Sequence, residues 1–234
     1  ADPHLIGPLF LAKPVATSWL RQNIGLHGGV ERGMARAKAQ SPVVGAVVIG
    51  RNEGQRLLDC LASLRNKVTA IAYADSNSGD DSLSKAIALG AIGVAIDPAR
   101  PMNAGRGRRE GAAALLAAHP KLEAIVFLDG DCLLHPDFLA QALTALNDNP
   151  NAAVICGRRY ERDTNASLYN EIANQEWAIP PGELISCGGD SLIRVSAYQA
   201  VGGFRDDLNA GEEPELCTRL RAAGWQVWCI DALM

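Results

Sequence analysis

Residues 43–49 read VVGAVVI, a short continuous apolar run that is typical of a strand buried on both faces of a sheet. Leucines at helical spacing follow it, and further apolar runs at 70–74, 93–96, 124–128 and 154–157 alternate with segments of helical periodicity. Strands that alternate with helices indicate βαβ units. We therefore expect an α/β fold, with a Rossmann-like, mostly parallel mixed sheet flanked by helices.

The composition excludes several classes of protein. The chain has 234 residues, a formal net charge of −4 and 48% hydrophobic residues, so it can bury a core and is not low-complexity disorder. Its acidic balance and its 5% aromatic content argue against a nucleic-acid partner, because phosphate binding requires a basic face. No apolar run approaches the ~20 residues that cross a bilayer. The six cysteines form no C-x-x-C pair, which favours buried free thiols.

The chain divides into two parts by composition. Residues 1–40 form an N-terminal extension, with a short helix expected over 16–24 and a glycine-rich, basic stretch at 27–41. Residues 41–234 carry the regular strand and helix pattern, and we expect them to form one domain.

Ligands of such sheets bind outside the carboxyl ends of the strands, so the loops that follow the strands are the first place to look for function. The loop at 51–53 reads RNE and the loop at 75–82 reads DSNSGDDS. Helix capping explains the later carboxylates of the second loop. It does not explain Asp75, which comes directly after the strand and can accept a hydrogen bond from a nucleobase imide or a ribose hydroxyl.

The strand at 124–128 is followed by Asp129-Gly130-Asp131. Two carboxylates two residues apart project to the same side of an extended chain, where they repel unless a cation lies between them. Their hard oxygen atoms suit Mg²⁺ or Mn²⁺ completed by substrate phosphate, and Gly130 lets the backbone approach that ligand. Simple turn chemistry is the alternative interpretation of this motif.

Two further charged segments lie on either side of this motif in the chain. The segment 103–111 brings three arginines to a helix start, where they either meet a diphosphate or form a solvated basic face. Glu212 and Glu213 precede a proline, and negative charge at a helix start is favourable for the helix dipole alone. A glutamate there can also act as a general base.

Taken in order, these motifs resemble the family 2 glycosyltransferases with the GT-A fold, from about Val43 to the end of the chain. The resemblance rests on RNE (51–53), DSNSGD (75–80), RREG (108–111), LDGD (128–131), GGF (202–204) and GEEPEL (211–216). It implies a nucleotide-diphosphate-sugar donor, a hydroxyl acceptor on a saccharide or glycoconjugate, inversion at the anomeric carbon, and Mn²⁺ or Mg²⁺ as cofactor. By analogy it also suggests polysaccharide synthesis.

The resemblance assigns the donor side. Asp75 matches the carboxylate that reads the base. A UDP-sugar is favoured because uracil offers an imide N–H, but thymine offers the same edge and guanine stays open. Asp129 matches the acid on the ribose or metal side, and Asp131 matches the direct metal ligand. Arg108 matches the arginine of the usual A-R-N-x-G segment. The other expected donor contacts are Arg51, Glu53, Asn77 and Gly130.

The resemblance also assigns the catalytic and acceptor side. Glu213 matches the general base, but the family usually has Glu-Asp where this chain has Glu-Glu, so Glu212 is a second candidate. Residues 187–190 match the segment that lines the donor sugar and the acceptor, and the expected contacts there are Gly188, Gly189 and Asp190. Trp177 either faces the acceptor or is a core tryptophan.

Two other functions stay open at this point. One is a non-catalytic module that binds a nucleotide sugar. The other is a sugar-phosphate nucleotidyltransferase, which would need a glycine-rich basic loop where this chain has RNEG at 51–54.

The end of the chain gives a further expectation. In relatives, a metal-binding histidine follows the strand that matches 226–230, whereas the histidines of this chain all lie earlier. We therefore expect a truncated catalytic core, with membrane association left open through the missing C-terminal part. The expected location is the cytoplasm, with the inner face of the membrane as the alternative.

Overall fold

The computed structural model describes residues 43–234. The N-terminal extension, with the helix expected over residues 16–24, lies outside the described residues.

Eight strands and seven helices form within residues 43–234. The strands are β1 (Val44–Gly50), β2 (Ala70–Asp75), β3 (Ile92–Ala95), β4 (Ala124–Asp129), β5 (Ala152–Arg158), β6 (Gly182–Leu184), β7 (Ser191–Arg194) and β8 (Gln226–Leu233). The helices are α1 (Gln55–Leu64), α2 (Ser82–Ala88), α3 (Ala104–Ala118), α4 (Phe138–Asp148), α5 (Leu168–Glu176), α6 (Val195–Ala200) and α7 (Glu212–Ala222).

The strands lie in one sheet in the order β3-β2-β1-β4-β7-β5-β8-β6. The pairs β1–β2, β2–β3, β1–β4 and β5–β8 are parallel. Strand β7 runs antiparallel to both of its neighbours, β4 and β5, and β6 runs antiparallel to β8. The expectation of a mostly parallel mixed sheet flanked by helices is confirmed.

The centre of the sheet is apolar because it is covered by helices. Ala46, Val47 and Val48 of β1 are fully buried, as the continuous apolar run predicts for a covered strand. Helix α3 packs against β1 and β2. A Cβ atom at Gly111 of α3 would lie 2.7 Å from the Val47 side chain, so glycine sets how closely this helix approaches the sheet. No helix within residues 43–234 is long and apolar enough to cross a membrane.

The topology gathers the charged loops at one edge of the sheet. The chain builds β1, β2 and β3 in one direction and then places β4 on the other side of β1, which makes a switch point between β1 and β4. Because these strands are parallel, their carboxyl-end loops lie side by side. Strand β7 runs the other way, and Ser191 at its start pairs with Phe127 near the end of β4. The segment before β7 therefore reaches the same edge.

Candidate active site

The loops that follow β1 and β2 are joined by hydrogen bonds. The Asn52 backbone N–H donates to the Ser78 hydroxyl at 2.9 Å, and the Gly79 N–H donates to Asn52 Oδ1 at 2.7 Å. Asn52 and Asn77 both have positive φ, a conformation that asparagine tolerates better than most residues. The two loops thus form one wall of the site, and Arg51 and Asn77 are exposed on it.

Asp75 is engaged by its own loop. Its carboxylate is only 4% exposed and accepts hydrogen bonds from the Tyr73 hydroxyl at 3.0 Å, the Ser78 N–H at 2.8 Å and the Ser78 hydroxyl at 2.5 Å. A carboxylate offers about four acceptor positions. The first role of Asp75 is therefore to fix the shape of this loop, and it keeps capacity for one ligand donor. Its role in reading a base stays a prediction.

The Asp129-Gly130-Asp131 turn packs against the end of β1. The Gly130 N–H donates to the Ile49 carbonyl at 2.7 Å, and a Cβ atom at Gly130 would lie 3.0 Å from that oxygen and 3.1 Å from Glu53 Cγ. Arg56 pairs with Glu53 at 2.7 Å and lies 3.9 Å from Asp131. The Asp131 side chain is 48% exposed, so it is open to a ligand.

Arg108 is the centre of an acidic cluster. Its guanidinium is almost fully buried, with Nη1 2.7 Å from Glu212 and 2.9 Å from Glu213, and Nη2 2.9 Å from Asp129. The guanidinium also lies over the Phe204 ring, 5.6 Å from its centroid. The solvated-face alternative for this arginine is therefore wrong. The protein's own carboxylates already surround this guanidinium. Its contact with a diphosphate stays a prediction.

Two glycines make room for this cluster. A Cβ atom at Gly189 would lie 2.0 Å from Arg108 Nη2 and 3.0 Å from Glu213 Oε1. A Cβ atom at Gly105 would lie 2.3 Å from the Arg205 carbonyl oxygen, so this glycine lets the start of α3 approach the segment before α7. Gly189 was predicted as a sugar-side contact, and its position against Arg108 explains the need for glycine independently of any ligand.

Asp190 ties the second half of the sheet to the first. It is 3% exposed, and it accepts from the Asp129 backbone N–H at 3.1 Å and from Arg159 Nη1 at 3.1 Å. The Cys132 thiol lies 3.5 Å from Asp190 Oδ2, the oxygen that also accepts from Arg159. Arg159 and Cys132 were missed by the sequence analysis. The double arginine directly after a strand was the available signal for Arg159.

Trp177 lies at the outer side of the site. It follows α5 as its C-cap residue and is half-buried, so the alternative of a core tryptophan is wrong. The Arg159 guanidinium lies over its ring at 4.8 Å from the centroid. Trp177 is thus connected to Asp190 through Arg159, whereas its contact with an acceptor stays a prediction.

The crowding of carboxylates shifts their proton affinities. Burial and the neighbouring Asp190 raise the pKa of Asp129 to about 6, with a further contribution from Asp131, while Arg108 acts in the opposite direction. Burial also raises the pKa of Glu213 above its ordinary value, against the effect of Arg108. The Asp190 and Asp131 carboxylates beside Asp129 make its surroundings acidic, an environment that favours a bound cation.

The structure brings the predicted residues together in four groups. Glu212, Glu213, Asp129 and Gly189 surround Arg108. Glu53, Gly130 and Asp131 form the second group, next to Arg56. Arg51, Asn77 and Asp75 belong to the wall made by the two joined loops, and Gly188, Asp190 and Trp177 meet Arg159 on the other side.

Known proteins show similarity to this chain in sequence and in structure. The family model described as Glycosyl transferase family 2 matches residues 46–209. The succinoglycan biosynthesis protein ExoA of Rhizobium meliloti is 39% identical over 44 residues, which cover 19% of this chain and 13% of that protein.

Solved glycosyltransferase structures share the fold. The mannosyltransferase PcManGT from Pyrobaculum calidifontis, in complex with GDP-Man and Mn²⁺, aligns with a TM-score of 0.57 at 19% identity, over 83% of this chain and 56% of its own. S. aureus TarS 1–349 aligns with a TM-score of 0.60 at 13% identity, over 81% and 58%. Glucosyl-3-phosphoglycerate synthase from Mycobacterium tuberculosis, in complex with Mn²⁺, UDP and glucosyl-3-phosphoglycerate, aligns with a TM-score of 0.54 at 20% identity, over 82% and 71%.

The chain spans just over half the length of the first two of these structures and a small part of ExoA. The structural likenesses confirm the expected GT-A fold. Because the family model covers well over half of the sequence, this chain belongs to glycosyl transferase family 2.

Proposed function

We propose that this chain is the catalytic domain of a metal-dependent, inverting glycosyltransferase that moves a sugar from a nucleotide-diphosphate donor, with a UDP-sugar favoured, to a hydroxyl group of a saccharide or glycoconjugate. The observation that carries the proposal is the meeting of Asp129 and Glu213 on Arg108, with the half-exposed Asp131 two residues after Asp129 in the turn that follows β4. Family membership supports glycosyl transfer. The name of ExoA supports a role in polysaccharide synthesis.

Mn²⁺ or Mg²⁺ fits the Asp129 and Asp131 carboxylates. Both side chains are partly exposed, at 41% and 48%, and both supply hard oxygen ligands. Within residues 43–234 no group of three or more His, Cys, Asp or Glu side chains is arranged to hold a metal. That fits a metal bound through one or two carboxylates together with substrate phosphates. When bound, such a metal neutralises charge on the departing diphosphate. PcManGT and glucosyl-3-phosphoglycerate synthase were both solved with Mn²⁺.

The joined loops after β1 and β2 would hold the nucleoside. Asp75 keeps one acceptor position, which suits the single imide N–H of uracil. Asn77 and Arg51 are exposed on the same wall and supply further donors and acceptors, and Glu53 lies between this wall and Asp131.

Glu213 is the better of the two base candidates. Its side chain is 19% exposed and that of Glu212 is 7% exposed, so Glu213 is more accessible to an acceptor hydroxyl. Its raised pKa makes it a stronger proton acceptor than an ordinary glutamate. Glu213 would take the proton of the hydroxyl as that oxygen attacks the anomeric carbon from the face opposite the diphosphate. Glu212, buried against Arg108, would hold the arginine in place.

A nucleotide screen tests this function. We expect thermal stabilisation of the chain by UDP in the presence of Mn²⁺, and smaller stabilisation by GDP and dTDP, because a ligand that binds only the folded state raises its stability. Donor hydrolysis then separates an enzyme from a module that only binds. Stabilisation without hydrolysis favours the binding module, and no response to any nucleoside diphosphate with Mn²⁺ refutes both.

A further inference from the structure

Arg159 lies on the side of the site away from the nucleoside loops, and the proposed transfer does not use it. It comes directly after β5, its side chain is 28% exposed, and its guanidinium lies 4.8 Å from the centroid of the Trp177 ring. Its charge acts on Glu213, opposing the rise of that residue's pKa. Two neighbouring glycines lie against the two side chains: a Cβ atom at Gly188 would lie 2.9 Å from Arg159 Nη2, and one at Gly189 would lie 3.0 Å from Glu213 Oε1. Arg159 is therefore close to the group proposed to deprotonate the acceptor.

The chain holds this arginine in a defined position. Asp190 pairs with Arg159 Nη1 at 3.1 Å, and Asp190 is itself buried and anchored by the Asp129 backbone N–H. A Cβ atom at Gly188 would lie 2.9 Å from Arg159 Nη2 and 3.3 Å from Cζ, so glycine leaves space for the guanidinium. One edge of the arginine is fixed by a carboxylate, and one face is covered by an indole.

The other edge of the guanidinium is open. Among residues 43–234, the only hydrogen bond from Arg159 is the one from Nη1 to Asp190, which leaves Nε and Nη2 as free donors. Glu213, the carboxylate on which its charge acts, is already paired with Arg108 at 2.9 Å. A planar guanidinium with two parallel free N–H groups matches the geometry of an oxyanion.

We propose that Arg159 binds an anionic group of the acceptor, a carboxylate or a phosphate, and that the acceptor is therefore an acidic sugar or a sugar phosphate. This inference rests on the proposed transferase function and specifies its acceptor class. Trp177 stacks under the arginine and supplies an apolar surface beside the subsite. Asp190 fixes the arginine so that its free edge is preorganised for the ligand.

Transfer to matched acceptors tests the inference. The full chain is assayed with Mn²⁺ and the nucleotide sugar that it hydrolyses. The acceptors are glucose, glucuronate and glucose 6-phosphate, together with galactose, galacturonate and galactose 6-phosphate. We expect at least one anionic member to show a KM about ten to a hundred times lower than its neutral partner, as charge-assisted hydrogen bonds allow. Comparison of the uronates with the phosphates identifies which oxyanion is bound.

Three variants assign that preference to Arg159. Arg159→Ala is expected to remove the difference in KM between anionic and neutral acceptors, and Arg159→Lys to restore part of it. Gly188→Ala keeps the arginine but displaces the flexible end of its side chain, so it is expected to raise KM for anionic acceptors in a folded protein. Arg158→Ala is the matched control, because Arg158 pairs with the exposed Asp231 and should leave the preference unchanged.

The outcomes separate this inference from the proposed function. Three results overturn the acceptor subsite. The unmodified chain uses neutral and anionic acceptors equally, or it transfers sugar to no anionic acceptor, or Arg159→Ala loses transfer activity equally with both classes. Donor hydrolysis by the unmodified chain without any acceptor is measured beside these assays. If that reaction and nucleotide binding are both absent, the transferase function itself has failed.

Discussion

Replacement of Arg108 by methionine should destabilise the folded chain strongly. The guanidinium is almost fully buried and contacts Glu212, Glu213 and Asp129, so its removal leaves the buried Glu212 carboxylate without a counter-ion. Breaking a buried ion pair on one side costs about 3–5 kcal/mol. The contribution of Asp129 is smaller, because its side chain is 41% exposed and solvent screens the pair.

A double variant tests whether that cost arises from the orphaned carboxylate. Glu212→Gln removes the charge, so Arg108→Met with Glu212→Gln should recover about 0.5–3 kcal/mol relative to Arg108→Met alone. The free energies of unfolding are measured by urea titration at pH 7 for both single variants and the double variant. Arg221→Met serves as control, since Arg221 is exposed on α7 and should change stability by less than about 0.5 kcal/mol. This account is refuted if Arg108→Met lowers the free energy of unfolding by less than about 1 kcal/mol. It is also refuted if the double variant is no more stable than Arg108→Met.

Four other predictions concern activity and packing. Asp131→Ala should abolish the Mn²⁺-dependent part of stabilisation by UDP in a thermal-shift assay, and unchanged stabilisation would exclude Asp131 as a metal ligand. Glu213→Gln should keep nucleotide binding in calorimetry and lower transfer by about 10²–10⁴-fold, whereas a larger loss in Glu212→Gln would identify Glu212 as the base. In the unmodified chain, transfer should fall as the pH drops, with a midpoint above the ordinary glutamate pKa, because the raised pKa of Glu213 protonates the base earlier. Gly105→Ala should lower the free energy of unfolding by about 1–3 kcal/mol in a urea titration, because its Cβ would lie 2.3 Å from the Arg205 carbonyl oxygen. An unchanged free energy of unfolding would mean that α3 moves to accept the methyl group.

The parallel part of the sheet was predictable because it depends on local signals. Each strand from β1 to β5 is a short apolar run, and the observed bounds differ from the predicted ones by one or two residues. Strands β6 and β7 were not predicted. They have three and four residues, too few for a periodic pattern, and their positions are set by pairing with β8 and β4 rather than by their own composition.

The site was predictable as a set of positions but not as a set of contacts. The carboxylates at the strand ends stood out because they interrupt apolar runs. The burial of Arg108 did not, because it depends on Glu212, which is 104 residues away in sequence. Glycines at 105, 107 and 111 were the available signal, since a helix with so many small residues can approach its neighbours closely. The pair between Arg159 and Asp190 likewise forms only when β7 lies between β4 and β5.

The late insertion of β7 has a consequence for biosynthesis. Strands β4 and β5 leave the ribosome before the strand that separates them, so their facing edges stay without a hydrogen-bonding partner until about residue 194 has emerged. Unpaired apolar edges are templates for association with other chains. A nascent chain that stalls between β5 and β7 is therefore at its most vulnerable to aggregation, and chaperone capture should be concentrated in that interval of synthesis.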